Sequence, residues 1–157
     1  EGRVKSEYYL ATVIRSYRMA IDSYYADREN YKYDPYLLEE IKKVSHRDFT
    51  TGFFYGKANE NSQVYEDNSY IRGYDFVGIV LDYDSKIATI EQRNRVFVGD
   101  EIEIFGPGIK HFDYKIEKML DDKDREIEVA NKAKQIFKIK IDKAIKKGFI
   151  LRRENEE

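Results

Sequence analysis

The sequence predicts a mainly β fold, a small antiparallel β-barrel preceded by two α-helices. Three observations carry this. Apolar residues recur at three- and four-residue spacing before residue 45, β-branched and aromatic runs dominate after residue 70, and turn signals separate those runs with no helical stretch between them. A length of 157 residues suits one core with a helical appendage.

The first helix is expected over about Lys5 to Tyr25, where Leu10, Val13, Ile14, Tyr17, Ile21 and Tyr24 form an apolar stripe without Gly or Pro between them. Arg15, Arg18 and Asp22 fall on the opposite flank and read as its solvated face. A second helix opens at Asp34-Pro35, an Asp at the cap position followed by a Pro suited to the first turn. Leu37, Leu38, Ile41 and Val44 form its buried stripe. Glu39 and Glu40 at its start and Lys42 and Lys43 at its end suit the helix dipole. It ends near Ser45.

Residues 50–56 read as a short extended segment and residues 57–68 as a polar loop. Ile71 to Tyr83 is a strand too apolar to be half-exposed, with Gly78 allowing a bend. The turn Tyr83-Asp84-Ser85-Lys86 leads into a return strand over Ile87 to Arg93. Val98 to Phe105 turns at Gly99-Asp100, then alternates, and stops at Gly106-Pro107-Gly108. His111 to Met119, Glu126 to Val129, Gln135 to Ile141 and Phe149 to Arg153 complete six or seven short strands, the pattern of a closed or partly closed antiparallel barrel.

Composition excludes several chemistries. With no Cys there is no disulfide, thiolate nucleophile, Cys-ligated zinc or thiolate-held iron–sulfur cluster. No apolar stretch approaches the roughly 20 residues that span a bilayer, so no membrane partner and a cytoplasmic location are expected. The two histidines, His46 and His111, lie in no metal or triad spacing, and the acidic pairs Asp82/Asp84 and Asp121/Asp122 match no calcium loop and read as turn residues. No catalytic, cofactor-binding or metal-binding residue is assigned. Basic groups outnumber acidic ones only in residues 109–157, fourteen against eleven, a weak hint of a polyanion partner. Tyr70, Arg72, Tyr74, Arg93 and Arg95 form the candidate patch for RNA or partner contact. The Tyr-rich helical region reads as a packing surface for another domain, ahead of a stacking platform for bases.

Several separate motifs resemble one family. Glu1-Gly2-Arg3-Val4-Lys5-Ser6, Tyr8-Tyr9-Leu10-Ala11-Thr12-Val13 and Tyr17-Arg18 are similar to the end of the core domain of the U32 collagenase-like peptidases. Ser45-His46-Arg47, Thr50 to Phe53, Ser69 to Arg72, Tyr74 to Gly78, Glu91 to Arg95, and Val98-Gly99-Asp100 to Gly108 are similar to that family's C-terminal domain. The resemblance implies that residues 1–45 are the end of a core domain lying upstream, and that residues 46–157 are a barrel like the second domain of translation elongation factors. It implies that any active site, with an iron–sulfur cluster and prephenate, belongs to the complete protein.

Family members are described both as peptidases and as RNA-hydroxylating proteins. The expected function is therefore a non-catalytic accessory domain that positions transfer RNA for uridine hydroxylation by the core domain, its first expected partner. The alternatives are a domain gripping unfolded protein for a protease, or an architectural barrel, including one that mediates homo-oligomer formation.

Overall fold

The fold is that of a computed structural model, which describes residues 4–47, 49, 54–57 and 71–155. Helix α1 spans Glu7–Ala26 and α2 spans Tyr36–Lys42. Ser6 caps α1, its hydroxyl accepting the Tyr9 N–H at 3.2 Å. The Asp34 carboxylate accepts the Tyr36 N–H at 3.0 Å and so opens α2, which is shorter than expected.

The helices are where the sequence places them, but their buried faces differ. On α1 the buried residues are Tyr8, Thr12, Arg15 and Ser16, while Ile14 and Tyr17 are 60% and 63% exposed. Tyr8, Thr12, Arg15 and Ser16 also share a face at four- and three-residue spacing, and Arg15 has a buried carboxylate to meet, so this flank rather than the more apolar one covers the barrel. Periodicity shows that a helix is amphipathic without showing which flank a particular neighbour takes. On α2, Leu37 is buried as expected, Leu38 is exposed, and Glu40, expected to serve the helix dipole, is buried.

Among the described residues ten strands follow: β1 Tyr74–Asp84, β2 Ile87–Gln92, β3 Val96–Phe97, β4 Glu101–Phe105, β5 Phe112–Lys115, β6 Met119–Asp121, β7 Glu126–Ile127, β8 Val129–Ala130, β9 Ile136–Lys140 and β10 Ile150–Glu154. Eight of them make one antiparallel sheet in the order β5-β4-β10-β1-β2-β9-β6-β7, curled as a half-barrel, and β3 pairs with β8. The count exceeds the expected six or seven because His111 to Met119 divides into β5 and β6, Glu126 to Val129 divides into β7 and β8, and Val96–Phe97 adds β3 outside the expected runs. Val98 to Phe105 pairs as a strand only from Glu101, after the turn at Gly99, whose φ of 96° favours glycine. His111 to Met119 breaks after Ile116, whose backbone bonds Gly99 and Asp100. His46 and Ile71 form an isolated bridge that ties the end of the helical segment to the start of the barrel. Residues 54–57 turn, while the remainder of the segment expected over 50–56 and nearly all of the 57–68 loop lie outside the described residues.

Two cores result from one alternation. Inward residues such as Val77, Val80, Ile90, Ile102, Ile104, Phe137, Ile139 and Leu151 fill the barrel. Outward residues Phe105 and Ile150 join Tyr8 and Val44 in a second core between barrel and helices, flanked by Tyr74, Phe76 and Ile79. A bulge between Phe76 and Gly78 bends β1 so that it serves both. At Gly78 a Cβ would lie 2.7 Å from Ile90 Cγ2 and 2.9 Å from the Glu91 carbonyl oxygen, so the bend expected there is also a close approach of backbones.

Gly106 is tighter still, since a Cβ there would stand 2.2 Å from the Phe149 ring. Gly106→Ala is expected to lower stability by about 1–3 kcal/mol through overpacking. Phe149→Leu should restore part of the loss in the same urea titration. An unchanged midpoint for Gly106→Ala would refute this packing.

Candidate functional site

The helices and the barrel meet around charge. Arg15 of α1, Glu40 of α2, Lys43 just after it, Glu103 of β4, His111 before β5 and Arg152 of β10 converge on one interface. Glu103 and Arg152 occupy the outward positions of their strands, where alternation alone predicts solvent. The helices cover that face, so Arg152 is fully buried.

Each carboxylate is saturated. Glu40 accepts Arg15 Nη1 at 2.8 Å on Oε2 and Arg152 Nη2 at 2.7 Å on Oε1. Glu103 accepts Lys43 Nζ at 2.7 Å on Oε1 and Arg152 Nε at 2.6 Å on Oε2. Arg15 also donates through Nε to the Ile109 carbonyl and through Nη2 to the Tyr36 hydroxyl, both at 2.8 Å. The Phe105 ring lies beneath both guanidinia, each Cζ 4.8 Å from its centroid. Tyr74 adds a ring 5.3 Å from Arg152 and 4.7 Å from Lys43. The Tyr8 hydroxyl donates to the Lys43 carbonyl at 2.8 Å, and burial pushes its pKa up.

His111 sits at the edge of this network. Its backbone N–H donates to the Tyr36 hydroxyl oxygen at 3.0 Å, and its Nδ1 lies 3.0 Å from that oxygen and 3.1 Å from Glu40 Oε1. Burial holds its pKa below the ordinary value, aided by Lys43 and Arg152 and opposed by Glu103 and Glu40, so the ring is neutral at pH 7.

Glu40, Glu103 and His111 bring possible metal-ligand atoms within 4.8 Å of one another. Their chemistry argues against an ion. Both carboxylates already spend their oxygens on Arg15, Lys43 and Arg152, three cations against two anions, so a divalent cation would enter a site already positive. The residues also do not fit an iron–sulfur cluster, because the sequence contains no thiolate. This arrangement holds elements together, and no sequence motif marked it. The available signals were Arg15 in register with Tyr8, Thr12 and Ser16, and Arg152 within the apolar run Phe149-Ile150-Leu151.

Burial works to raise the pKa of Glu40, but the hydrogen bonds and charges of Arg152 and Arg15 outweigh it and bring the value down from 4.5 to about 2. A carboxylate held lower in the folded chain stabilises the fold above its unfolded pKa, and that contribution is lost as pH falls from about 4.5 toward 2. A partly buried neutral His111 acts in the same direction, since the unfolded chain takes up its proton first as pH drops below the ordinary 6.5. Urea midpoints should therefore fall steadily from pH 7 to pH 2.5, and Glu40→Gln should flatten the part of the curve below pH 4.5. A flat profile in the unaltered chain would contradict the assignment.

The candidate contact residues are not brought together as one free patch. Tyr70 lies outside the described residues. Tyr74 is half-buried against the ionic network. Arg93 is held by Glu7 at 2.7 Å and Glu91 at 3.0 Å. Arg72 is exposed, and Arg95 lies over the Phe97 ring at 5.3 Å. Tyr74 also lines a groove of about 1210 Å³ beside Asp75, Asp100, Glu101, Asp113 and Glu154. Arg153, the one cation lining it among the described residues, is paired with Asp100 and lies 3.7 Å from Asp75.

Sequence comparison places the two halves of this architecture. Residues 72–152 match the peptidase family U32 C-terminal domain, and residues 1–64 match peptidase family U32. The chain belongs to peptidase family U32. In U32 terms, the ionic network joins the segment matching the main family to the segment matching its C-terminal domain. The chain is 41% identical, over 98% of its length, to tRNA hydroxylation protein P1 of Bacillus subtilis, of which it covers 37%. It is 32% identical, over 83% of its length, to tRNA hydroxylation protein P of Haemophilus influenzae, of which it covers 28%. It thus spans about a third of the length of these curated relatives. The solved C-terminal domain of a Geobacillus thermoleovorans protein described as a U32 peptidase shares 40% identity, with a TM-score of 0.49 over 50% of this chain and 99% of that one. Among the described residues no helix is long and apolar enough to cross a membrane.

Proposed function

We propose that this chain is an accessory module of a U32 protein that positions a transfer RNA for hydroxylation by the rest of that protein. The observation that carries this reading is the 41% identity, along nearly the whole chain, to a tRNA hydroxylation protein. The ionic network supports it as well, because a positioning module has to hold a fixed angle, and Glu40 clamps both helices to β10. The exposed apolar flank of α1, with Leu10, Ile14, Tyr17 and Ile21, is the surface offered to the core of a full-length U32 protein. Of the candidate contact residues, Arg72 and Arg95 are exposed. An iron–sulfur cluster and the chemistry itself would belong to that core.

Bulk transfer RNA labelled with a fluorophore should bind the chain with a salt-dependent Kd. About four phosphate contacts would weaken binding on the order of a hundredfold between roughly 50 and 200 mM salt. Absence of binding at the lower salt would overturn the proposal.

A further inference from the structure

The β9–β10 connection carries the densest run of unpaired cations in the described chain. Lys140, Lys143, Lys146 and Lys147 fall within eight residues, all exposed; none makes a salt bridge, and Lys140 acts only at longer range on Asp142. Elsewhere some exposed cations are paired, as in Arg18–Asp22, Lys42–Glu39 and Lys118–Glu126, and the others, such as Arg28, Arg72 and Lys132, do not form so dense a run. Lys86, at the β1–β2 turn, joins the same end of the barrel, since its carbonyl accepts the Ile141 N–H at 2.8 Å, and its ammonium pairs with Asp142 at 3.0 Å.

This loop is not a loose tether. Ile141 and Ile145 are buried in the barrel interior, so the lysines between and beyond them face outward. The Tyr83 hydroxyl donates to the carbonyls of Ile141 and Lys143, at 2.8 and 3.1 Å. Val80 accepts the Gly148 N–H and donates to the Phe149 carbonyl, each at 2.8 Å. The Lys143 ammonium stands 4.3 Å from the centroid of Phe112. Backbone positions are therefore set before any ligand arrives, which reduces the ordering cost of contacting a rigid polyanion.

The opposite end of the same strand pair is acidic. In the register of β1 against β10, Tyr74 faces Glu154 and Ile79 faces Ile150. Asp75, at the acidic groove, and Val80, bonded to the lysine loop, are thus five strand residues apart, about 17 Å. A polyanion nearing this barrel is repelled at one end and attracted at the other, so the charge distribution sets orientation as well as affinity.

We infer that the loop from Lys140 to Lys147, with Lys86 beside it, is the surface that meets the phosphates of the bound RNA, a statement that rests on the RNA reading above. Its contacts are charge to phosphate, carrying register rather than sequence.

The test uses the full chain and labelled bulk transfer RNA. Lys143→Gln, Lys146→Gln and Lys147→Gln together should reduce the slope of log affinity against log salt by about 2 to 3. A control with the same loss of charge, Lys118→Gln, Lys132→Gln and Lys134→Gln, should leave the slope within error of the unaltered chain. Urea midpoints confirm that both variants fold, as exposed lysines permit. If the unaltered chain binds but the loop variant keeps its slope, or the control loses as much, the loop assignment is wrong while the RNA reading stands. If the unaltered chain fails to bind at low salt, both fall.

Discussion

Replacing Glu40 with alanine is expected to cost about 3–5 kcal/mol, because it leaves Arg15 and Arg152 buried without their shared carboxylate. Neither guanidinium can swing to water easily. Arg152 is fully buried over Phe105, and Arg15 is tethered to Ile109 and Tyr36. The expected signature is uneven. The helices should loosen while the barrel interior, which contains no part of the network, remains folded, so a probe of tyrosine environment should precede loss of β-sheet signal in urea. The triple change Arg15→Met, Glu40→Met, Arg152→Leu should cost less than Glu40→Ala alone, since a buried ion group can often be replaced by apolar volume. Costs that simply add across the three positions would show that the side chains do not act as a unit.

Phe137→Ala is the second large effect, at about 3–5 kcal/mol. Phe137 is fully buried on β9, opposite Ile90 of β2 and Asp121 of β6. Its loss opens a cavity in the barrel, where β2, β6 and β9 are held in register and cannot collapse freely. Because β1 contributes to both cores, the barrel should take the helices with it, giving a single transition by both probes. A split transition for Phe137→Ala, or a merged one for Glu40→Ala, would reverse the hierarchy.

The sequence made the barrel legible through alternation and turns. Val77, Ile90, Ile102, Ile104 and Leu151 all lie inside, and Gly78 marks a bulge as its position suggested. It could not show what covers the outside. Glu103 alternates with Ile102 and Ile104 and so reads as a solvent residue, and only the presence of α1 and α2 over β4 and β10 turns it into an interior charge. The same blindness misassigned α1, whose apolar stripe attracts attention while Tyr8, Thr12, Arg15 and Ser16 do the packing. Local patterns report what a residue prefers. The ionic network depends on pairs such as Glu40 and Arg152, 112 positions apart, about which no window of a few residues carries information.

That separation also orders events at the ribosome. Arg152 and Ile150 are contributed by β10, which slots between β1 and β4. Until residue 154 has left the exit tunnel, β1 and β4 have no common neighbour and Glu40 lacks its second guanidinium. Within this chain the helices precede β10 by more than a hundred residues, so a nascent chain stalled before Ile150 should leave Tyr8 and Glu40 without the strand they pack against.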